Sequence, residues 1–392
     1  MVKPKATIIS EFNSNNLGDQ AISKSLTEVL DAYWEISQVP FGNLRGSRKD
    51  RPKASDTTSS SFFGGLSKAF PAKIKARIRW YFMGERRLFG EKFTSSIKDC
   101  DLVIIGGGQL IKNNVALFCE KIALIGGISK KHSIPLAFVG VGVDSAMSKL
   151  TWRIVDKTLI KSGLTIVRDL SSKTRIERRL VDRSNVTAIP DLAFCLNNPG
   201  ARFNRKDSIR KSLALNIMDF DLMLGASIYN KDNILDGILK VIHRAVLDGY
   251  EVCLFTSGSP KDFIAANQVK AKILSDHEND LPVFHPSSLQ ELLDFYIDFN
   301  EVIAMRMHTG ILAYISGCNP ICVNWDDKVA SAWNMIDQKE RVIELKEFAG
   351  VNNCDKLFDK FKRVGFPSRN SVKELADEVR NHIVEQVSLK FS

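Results

Sequence analysis

Residues 301–328 read EVIAMRMHTGILAYISGCNPICVNWDDK, and the parsing of this stretch decides the fold. An apolar run ends in Arg306-Met307-His308. A small residue and a glycine, Thr309 and Gly310, open an apolar segment of helical length, and a second apolar run ends in Asp326-Asp327-Lys328. Strand, helix and strand at this spacing predict a parallel βαβ unit. As strand residues two apart, Arg306 and His308 are expected to point to the same side. Gly310 is expected to leave the following helix N-terminus open to an anion. An imidazole beside a guanidinium and helix N–H groups suits proton transfer next to a bound phosphate or carboxylate. Lys328 is a cation at a helix start, where it opposes the dipole, which favours anion binding over a purely structural role.

The same alternation extends outward. Residues 6–12 read as a buried strand, 13–19 as a polar loop and 19–32 as a helix, so Asp19 sits at another helix N-terminus. After a strand at 34–41, residues 42–98 interrupt the pattern. It resumes with DLVIIGGG, read as a strand ending in Gly106, Gly107 and Gly108, then strands at 135–143, 164–169 and 185–194. Residues 196–211 are polar and contain Pro and Gly. Beyond them strands and helices repeat, to a last strand at 341–345 and a helix at 369–389 with apolar Val372, Leu375, Val379, Ile383 and Val387.

This pattern predicts an α/β protein of two Rossmann-like domains facing across a cleft, with a C-terminal helix. Residues 1–196 form the first domain, 197–211 the linker and 212–368 the second domain. The helix at 369–392 is expected to pack back on the first domain. Ligands bind such sheets at the carboxyl ends of the strands. Asp19, Arg168, Asp169, Asp191, Arg306, His308 and Lys328 all fall there. Arg168-Asp169 reads either as an anion clamp or as an ion pair capping a helix. Asp191 reads as a site or a turn residue, and His308 as a site or a core residue.

A length of 392 residues, with 44% hydrophobic and 26% charged residues, suits two globular domains. No apolar run reaches the roughly 18 residues of a membrane span. The opening residues run directly into a strand pattern and read as lacking a secretory signal. Seven cysteines without a CxxC pair read as buried and reduced, in a cytoplasmic protein. The six histidines are scattered without ligand spacing, so no metal is expected. No GxGxxG follows the first strand, which argues against a dinucleotide cofactor.

The net charge of +10 is local: residues 45–98 hold 14 Lys and Arg against 4 Asp and Glu, and the remainder balances. Within this segment residues 42–65 read as a long loop. Phe70, Ile74, Ile78 and Phe82 then recur every four residues, flanked by Lys73, Lys75, Arg77 and Arg79. Residues 66–84 therefore read as a basic amphipathic helix, either packed on the core with solvated flanks or in contact with a membrane surface. No nucleic-acid-binding motif accompanies it.

Several motifs, in order, resemble the polysaccharide pyruvyltransferase family. They are Asn16-Leu17-Gly18-Asp19-Gln20-Ala21, VIIGGGQL around Gly107 and Gly108, Val167-Arg168-Asp169, Pro190-Asp191, Arg306-Met307-His308 followed by Thr309-Gly310, and the run from Pro320 to Val329. The resemblance covers about residues 6–330. It implies a GT-B-like fold and transfer of the enolpyruvyl group of phosphoenolpyruvate to a sugar or lipid-linked oligosaccharide, forming a pyruvate ketal without a cofactor. It places the family's essential basic residues at Arg168, His308 and Lys328. Substrate contacts are then expected at Arg306, Asp19, Asn16, Gly107, Gly108, Asp169, Asp191, Thr309 and Gly310. The basic segment lies outside the resemblance. A GT-B glycosyltransferase is the alternative, since His308-Thr309-Gly310 at a strand–helix junction can also cradle a nucleotide-sugar diphosphate.

Overall fold

The computed structural model describes residues 2–42, 71–113, 116–180, 186–203, 211–224, 230–276, 281–349 and 354–391. The first half begins β1 (Lys5–Ser10), α1 (Leu17–Asp31), β2 (Glu35–Pro40), α2 (Ala72–Phe82) and α3 (Glu85–Ser96). It continues β3 (Leu102–Ile111), α4 (Phe118–Lys131), β4 (Leu136–Val143), α5 (Lys149–Lys161), β5 (Leu164–Val167), α6 (Leu170–Arg179) and β6 (Val186–Ala188). A 3-10 turn at Leu192–Cys195 closes it. The second half begins β7 (Ser212–Asn216), α7 (Phe220–Leu224), α8 (Lys231–Leu247), β8 (Glu251–Phe255), α9 (Pro260–Asp276), β9 (Val283–Phe284) and α10 (Leu289–Phe295). Then come β10 (Glu301–Ala304), α11 (Met307–Ile315), β11 (Asn319–Asn324), α12 (Asp327–Asn334), β12 (Val342–Glu344), α13 (Leu345–Ala349), α14 (Asp355–Val364) and α15 (Arg369–Phe391).

The described strands form two parallel sheets, ordered β2-β1-β3-β4-β5-β6 and β12-β11-β10-β7-β8-β9. Helical crossovers cover both faces, so central strands such as β4 (LAFVGVGV) are buried at every residue and read as continuous apolar runs. Strand order reverses between β1 and β3 in the first sheet and between β7 and β10 in the second. A parallel sheet opens a crevice at such a point, beyond the carboxyl ends of its strands.

An apolar seam joins the halves. The ring of Phe194, from the 3-10 turn, lies 6.2 Å from Tyr314 and 5.9 Å from Trp333, which are 5.6 Å apart, all edge to face. Such pairs contribute about 0.5–1.5 kcal/mol each beyond their buried area. The Leu17 N–H donates to the Ser257 carbonyl at 3.0 Å, tying the β1–α1 loop to the loop after β8. The C-terminal helix α15 packs on α1 and the 3-10 turn. It buries Val372, Ala376, Val379, Ile383 and Val387, and Arg380 Nη2 donates to the Cys195 carbonyl at 2.7 Å.

Four local expectations differ from the structure. β10 stops at Ala304, so Arg306 is the residue preceding α11 and His308 lies in that helix's first turn, not in a strand. β3 does not end at its glycines but runs on to Ile111, with Gly107 and Gly108 at φ +71° and +78°. The proposed strand at 185–194 is only Val186–Ala188 among the described residues, because Asp191 caps the 3-10 turn instead. Of the two readings of the basic helix, the core-packed one differs in its residues: the Ile74, Ile78 and Phe82 stripe of α2 is exposed, and the helix docks through Ala76 and Trp80. Residues 43–70, which include the expected loop and the start of the expected 66–84 helix, and residues 204–210 of the expected linker lie outside the described residues.

Candidate active site between the two domains

The two crevices face one cleft of about 710 Å³, lined by Asn16, Asp19, Lys112 and Arg168 from the first half and by His308 and Lys328 from the second. Arg168 follows β5, and its guanidinium crosses the end of β4 above Gly142. A Cβ on Gly142 would stand 2.6 Å from Arg168 Nε, so the missing side chain is what admits the guanidinium. Arg168 Nη1 lies 3.3 Å from Asp191 Oδ2 and 3.4 Å from His308 Nε2. Its buried Nε makes no hydrogen bond and is 3.9 Å from Asp169 Oδ2. Asp169 caps α6, accepting from the Ser172 N–H at 2.7 Å and the Ser172 hydroxyl at 2.9 Å. Asp169 is thus a helix cap, while Arg168 lines the cleft.

Asp191 is buried and holds three donors. Its Oδ1 accepts from the Ala193 N–H at 3.0 Å, and its Oδ2 faces Arg168 and, at 3.4 Å, His308 Nε2. Burial alone would raise this carboxyl. The His308 ring, Arg168 and the Ala193 N–H outweigh it and hold the group at about 2. The other edge of the imidazole abuts α1: a Cβ on Gly18 would lie 2.6 Å from His308 Cβ and Nδ1. His308 is therefore clamped between a carboxylate and a helix N-terminus.

Arg306 and His308 diverge, contrary to the strand expectation. The Arg306 N–H donates to Asn216 Oδ1 at 3.0 Å, and its guanidinium forms a fork on buried Asp262 at 2.6 and 2.7 Å. It still borders the cleft. Lys328 Nζ lies 3.2 Å from Asp326, 3.4 Å from Gln109 Oε1 across the cleft, and 4.5 Å above the Trp325 ring. Burial lowers its pKa, Asp326 raises it, and nearby Arg168 and Lys112 lower it further. Asn16 caps α1 through the Gly18 N–H at 3.2 Å and steers Asp19, whose Oδ2 accepts from Asn16 Nδ2 at 3.0 Å.

Gly107, Gly108, Thr309 and Gly310 are not among the cleft-lining residues. Gly107 lies so close to Ile22 that a Cβ would collide with it, and Gly108 sits beside Asp19 without lining the cleft. Thr309 is buried, and its carbonyl accepts from the Tyr296 hydroxyl at 2.9 Å. Gly310 presses α11 onto Cys322 rather than clearing a helix N-terminus. Conversely, the cleft is also lined by Gln109, Lys112, Asp144 and Asp221, which the sequence pattern did not single out. Lys112 and Asp144 directly follow β3 and β4, so correctly placed strand ends would have marked them. Asp262 carries no local signal.

Among the described residues, Lys112, Arg168, Arg306 and Lys328 line the cleft, and most already face carboxylates. The arrangement can exchange a ligand's carboxylate or phosphate for internal partners beside a titratable imidazole. Among the described residues, no three His, Cys, Asp or Glu side chains are grouped so as to hold a metal ion.

The fold is similar to several solved structures. S. aureus MnaA, in its co-structure with UDP, aligns over 99% of this chain and 98% of its own at 12% identity, with a TM-score of 0.55. The UDP-GlcNAc 2-epimerase of Methanocaldococcus jannaschii, in complex with UDP-GlcNAc and UDP, aligns over 99% and 100% at 11% identity and a TM-score of 0.54. That of Neisseria meningitidis, bound to UDP-GlcNAc, aligns over 98% and 100% at 8% identity and a TM-score of 0.54. At such low identity the likeness establishes the two-domain, GT-B-like fold alone. No curated protein matches the sequence. The polysaccharide pyruvyl transferase family matches residues 16–327, a span that includes Arg168, Asp191, Arg306 and His308. The chain belongs to the polysaccharide pyruvyl transferase family.

Proposed function

We propose that the protein transfers the enolpyruvyl group of phosphoenolpyruvate to a sugar of a surface polysaccharide or its lipid-linked precursor, forming a pyruvate ketal and releasing phosphate. The observation that carries this reading is the contact of Arg168, Asp191 and His308 across the two domains, beside Lys112 and Lys328. Phosphoenolpyruvate presents a carboxylate and a phosphate, which these cations can hold.

Protonation of the donor's methylene carbon makes the neighbouring carbon electrophilic. A sugar hydroxyl adds there and gives up its proton. The bond to phosphate breaks, and a second hydroxyl closes the ketal. Of the two hydroxyl protons, one balances that gained by the methyl group and the other leaves with phosphate. His308 moves protons in this sequence, a role that contributes roughly 10²–10⁴-fold. Asp191, 3.4 Å from Nε2, orients the ring. Arg168, Arg306 and Lys328 bind and neutralise the anionic donor. The chemistry is proton transfer and anion binding, and it calls for no cofactor. The seven cysteines, none of them in a disulfide, suit the reducing cytoplasm, where we place the reaction.

The test is phosphate release from phosphoenolpyruvate with a panel of monosaccharide and lipid-linked oligosaccharide acceptors. Release is expected with one acceptor class, and His308→Ala is expected to abolish it without unfolding the protein. Nucleotide release from a sugar nucleotide, with none of phosphate from phosphoenolpyruvate, would replace this reading with the glycosyltransferase one.

A further inference from the structure

A helix on the outside of a globular domain ordinarily turns its apolar face inward. α2 turns one apolar pair inward and a larger apolar set outward. It docks through Ala76 and Trp80, whose ring lies 5.7 Å from Phe89 of α3. On the opposite side Ile74, Ile78, Tyr81 and Phe82 are 43%, 37%, 49% and 84% exposed. Met83, in the turn that follows, is 56% exposed. Isolated exposed apolar residues are ordinary, but a contiguous run on a single helix marks an interaction surface.

The charge around the ridge identifies the partner. Residues 71–98 carry eight Lys and Arg against two Glu. Arg77 is paired with Glu120 at 3.1 Å and Arg79 with Glu85 at 3.3 Å. Beside Tyr81 a groove of about 670 Å³ is lined by Arg86, Arg87 and Thr94. Apolar side chains that enter an acyl boundary, bordered by cations at headgroup height, are the components of an interfacial helix.

We propose that α2 and α3 form a docking element for an anionic lipid bilayer. Phe82, Ile78 and Ile74 enter the surface, and Lys73, Lys75, Arg86 and Arg87 meet lipid phosphates. The location fits the pyruvyl-transfer reading, on which this one further point rests. The helix pair walls a cavity of about 650 Å³ that reaches Glu11, just beyond β1. Asp19 and Lys112 of the cleft are near enough to act on the Glu11 carboxyl. Docking would therefore bring the catalytic edge of the first sheet to the membrane, where a lipid-linked acceptor resides.

Vesicle co-sedimentation of the full-length protein tests this without requiring turnover. The wild type is expected to bind phosphatidylglycerol-containing vesicles about tenfold or more tightly than pure phosphatidylcholine vesicles, and to release as salt rises. The triple variant Ile74→Ser, Ile78→Ser, Phe82→Ser is expected to lose about tenfold or more of this binding. Its thermal midpoint and its phosphate release with a soluble acceptor should be unchanged. Lys75→Glu with Arg86→Glu should remove the preference for anionic vesicles. Equal binding by wild type and triple variant overturns the proposal, as does wild-type protein that binds neither vesicle. A dimer in light scattering that the triple variant dissociates assigns the ridge to a second copy and also overturns it. Vesicle binding without phosphate release from phosphoenolpyruvate would reject the proposed reaction and leave the docking element standing.

Discussion

Arg168 and His308 come from different domains and meet on one carboxylate oxygen: Arg168 Nη1 lies 3.3 Å and His308 Nε2 3.4 Å from Asp191 Oδ2. The site therefore exists only when the halves are docked, and the seam of Phe194, Tyr314 and Trp333 keeps them so. Domains joined by an extensive apolar interface move as a unit more than those joined by a polar one.

Asp191→Asn is expected to lower turnover by about 10²-fold or more, since the ring loses the partner that orients it. It should also change the acid limb of stability. The Asp191 carboxyl falls from an ordinary 3.8 to about 2 on folding. A depressed carboxyl stabilises the fold above its unfolded value, and that contribution, roughly 2 kcal/mol, fades as pH drops towards 2. Urea midpoints measured between pH 5 and pH 2 (on the order of the span set by the two values) should fall less for the variant than for the wild type. Identical acid limbs would show that Asp191 is not held as a charged partner.

Two glycine substitutions should separate chemistry from packing. Gly18→Ala places a methyl group against the His308 ring, at 2.6 Å, and leaves the core untouched. Displacing a reacting group by about 1 Å costs on the order of 10²-fold in rate, so activity should fall at near-normal stability. Gly310→Ala drives a methyl group into Cys322, in the buried apolar cluster that the two halves share. Overpacking costs about 1–3 kcal/mol, so here the thermal midpoint should fall. The paired measurement is steady-state kinetics and thermal unfolding of both variants.

Arg306 is expected to support the site as much as to bind substrate. Its fork on Asp262, a side chain with 0% exposure, neutralises a charge that would otherwise be buried alone. Arg306→Ala should destabilise the protein by about 3 kcal/mol. Adding Asp262→Asn should recover part of that loss, because the orphaned charge is gone. A double-mutant cycle in urea reads the coupling, and additive effects would show that the pair does not act as a unit.

Lys328 has a pKa lowered chiefly by burial. Its cationic form is thus lost at a lower pH than that of an exposed lysine. If it holds the donor anion, kcat/KM for phosphoenolpyruvate should decline on the alkaline side before pH 10.5, the ordinary lysine value. Lys328→Arg should move that decline upward, and Lys328→Gln should raise KM at every pH. An alkaline limb that does not move in the Arg variant would remove Lys328 from donor binding.

The chain's periodicity by itself determined the two parallel sheets, because a strand buried on both faces must be written as a short continuous apolar run between helices. It also placed Arg168, Asp191, His308 and Lys328 near strand ends, where such folds bind ligands. Which partners those side chains take was decided by tertiary structure. Arg168 reaches Asp191 across 23 positions, Arg306 reaches Asp262 across 44, and Arg168 reaches His308 across 140. Local periodicity spans only a few residues and carries no information over such separations. It likewise showed that α2 has an apolar stripe without showing whether Ile74, Ile78 and Phe82 would face the core. Ala76 and Trp80 took that place, with the Trp80 ring against Phe89 of α3.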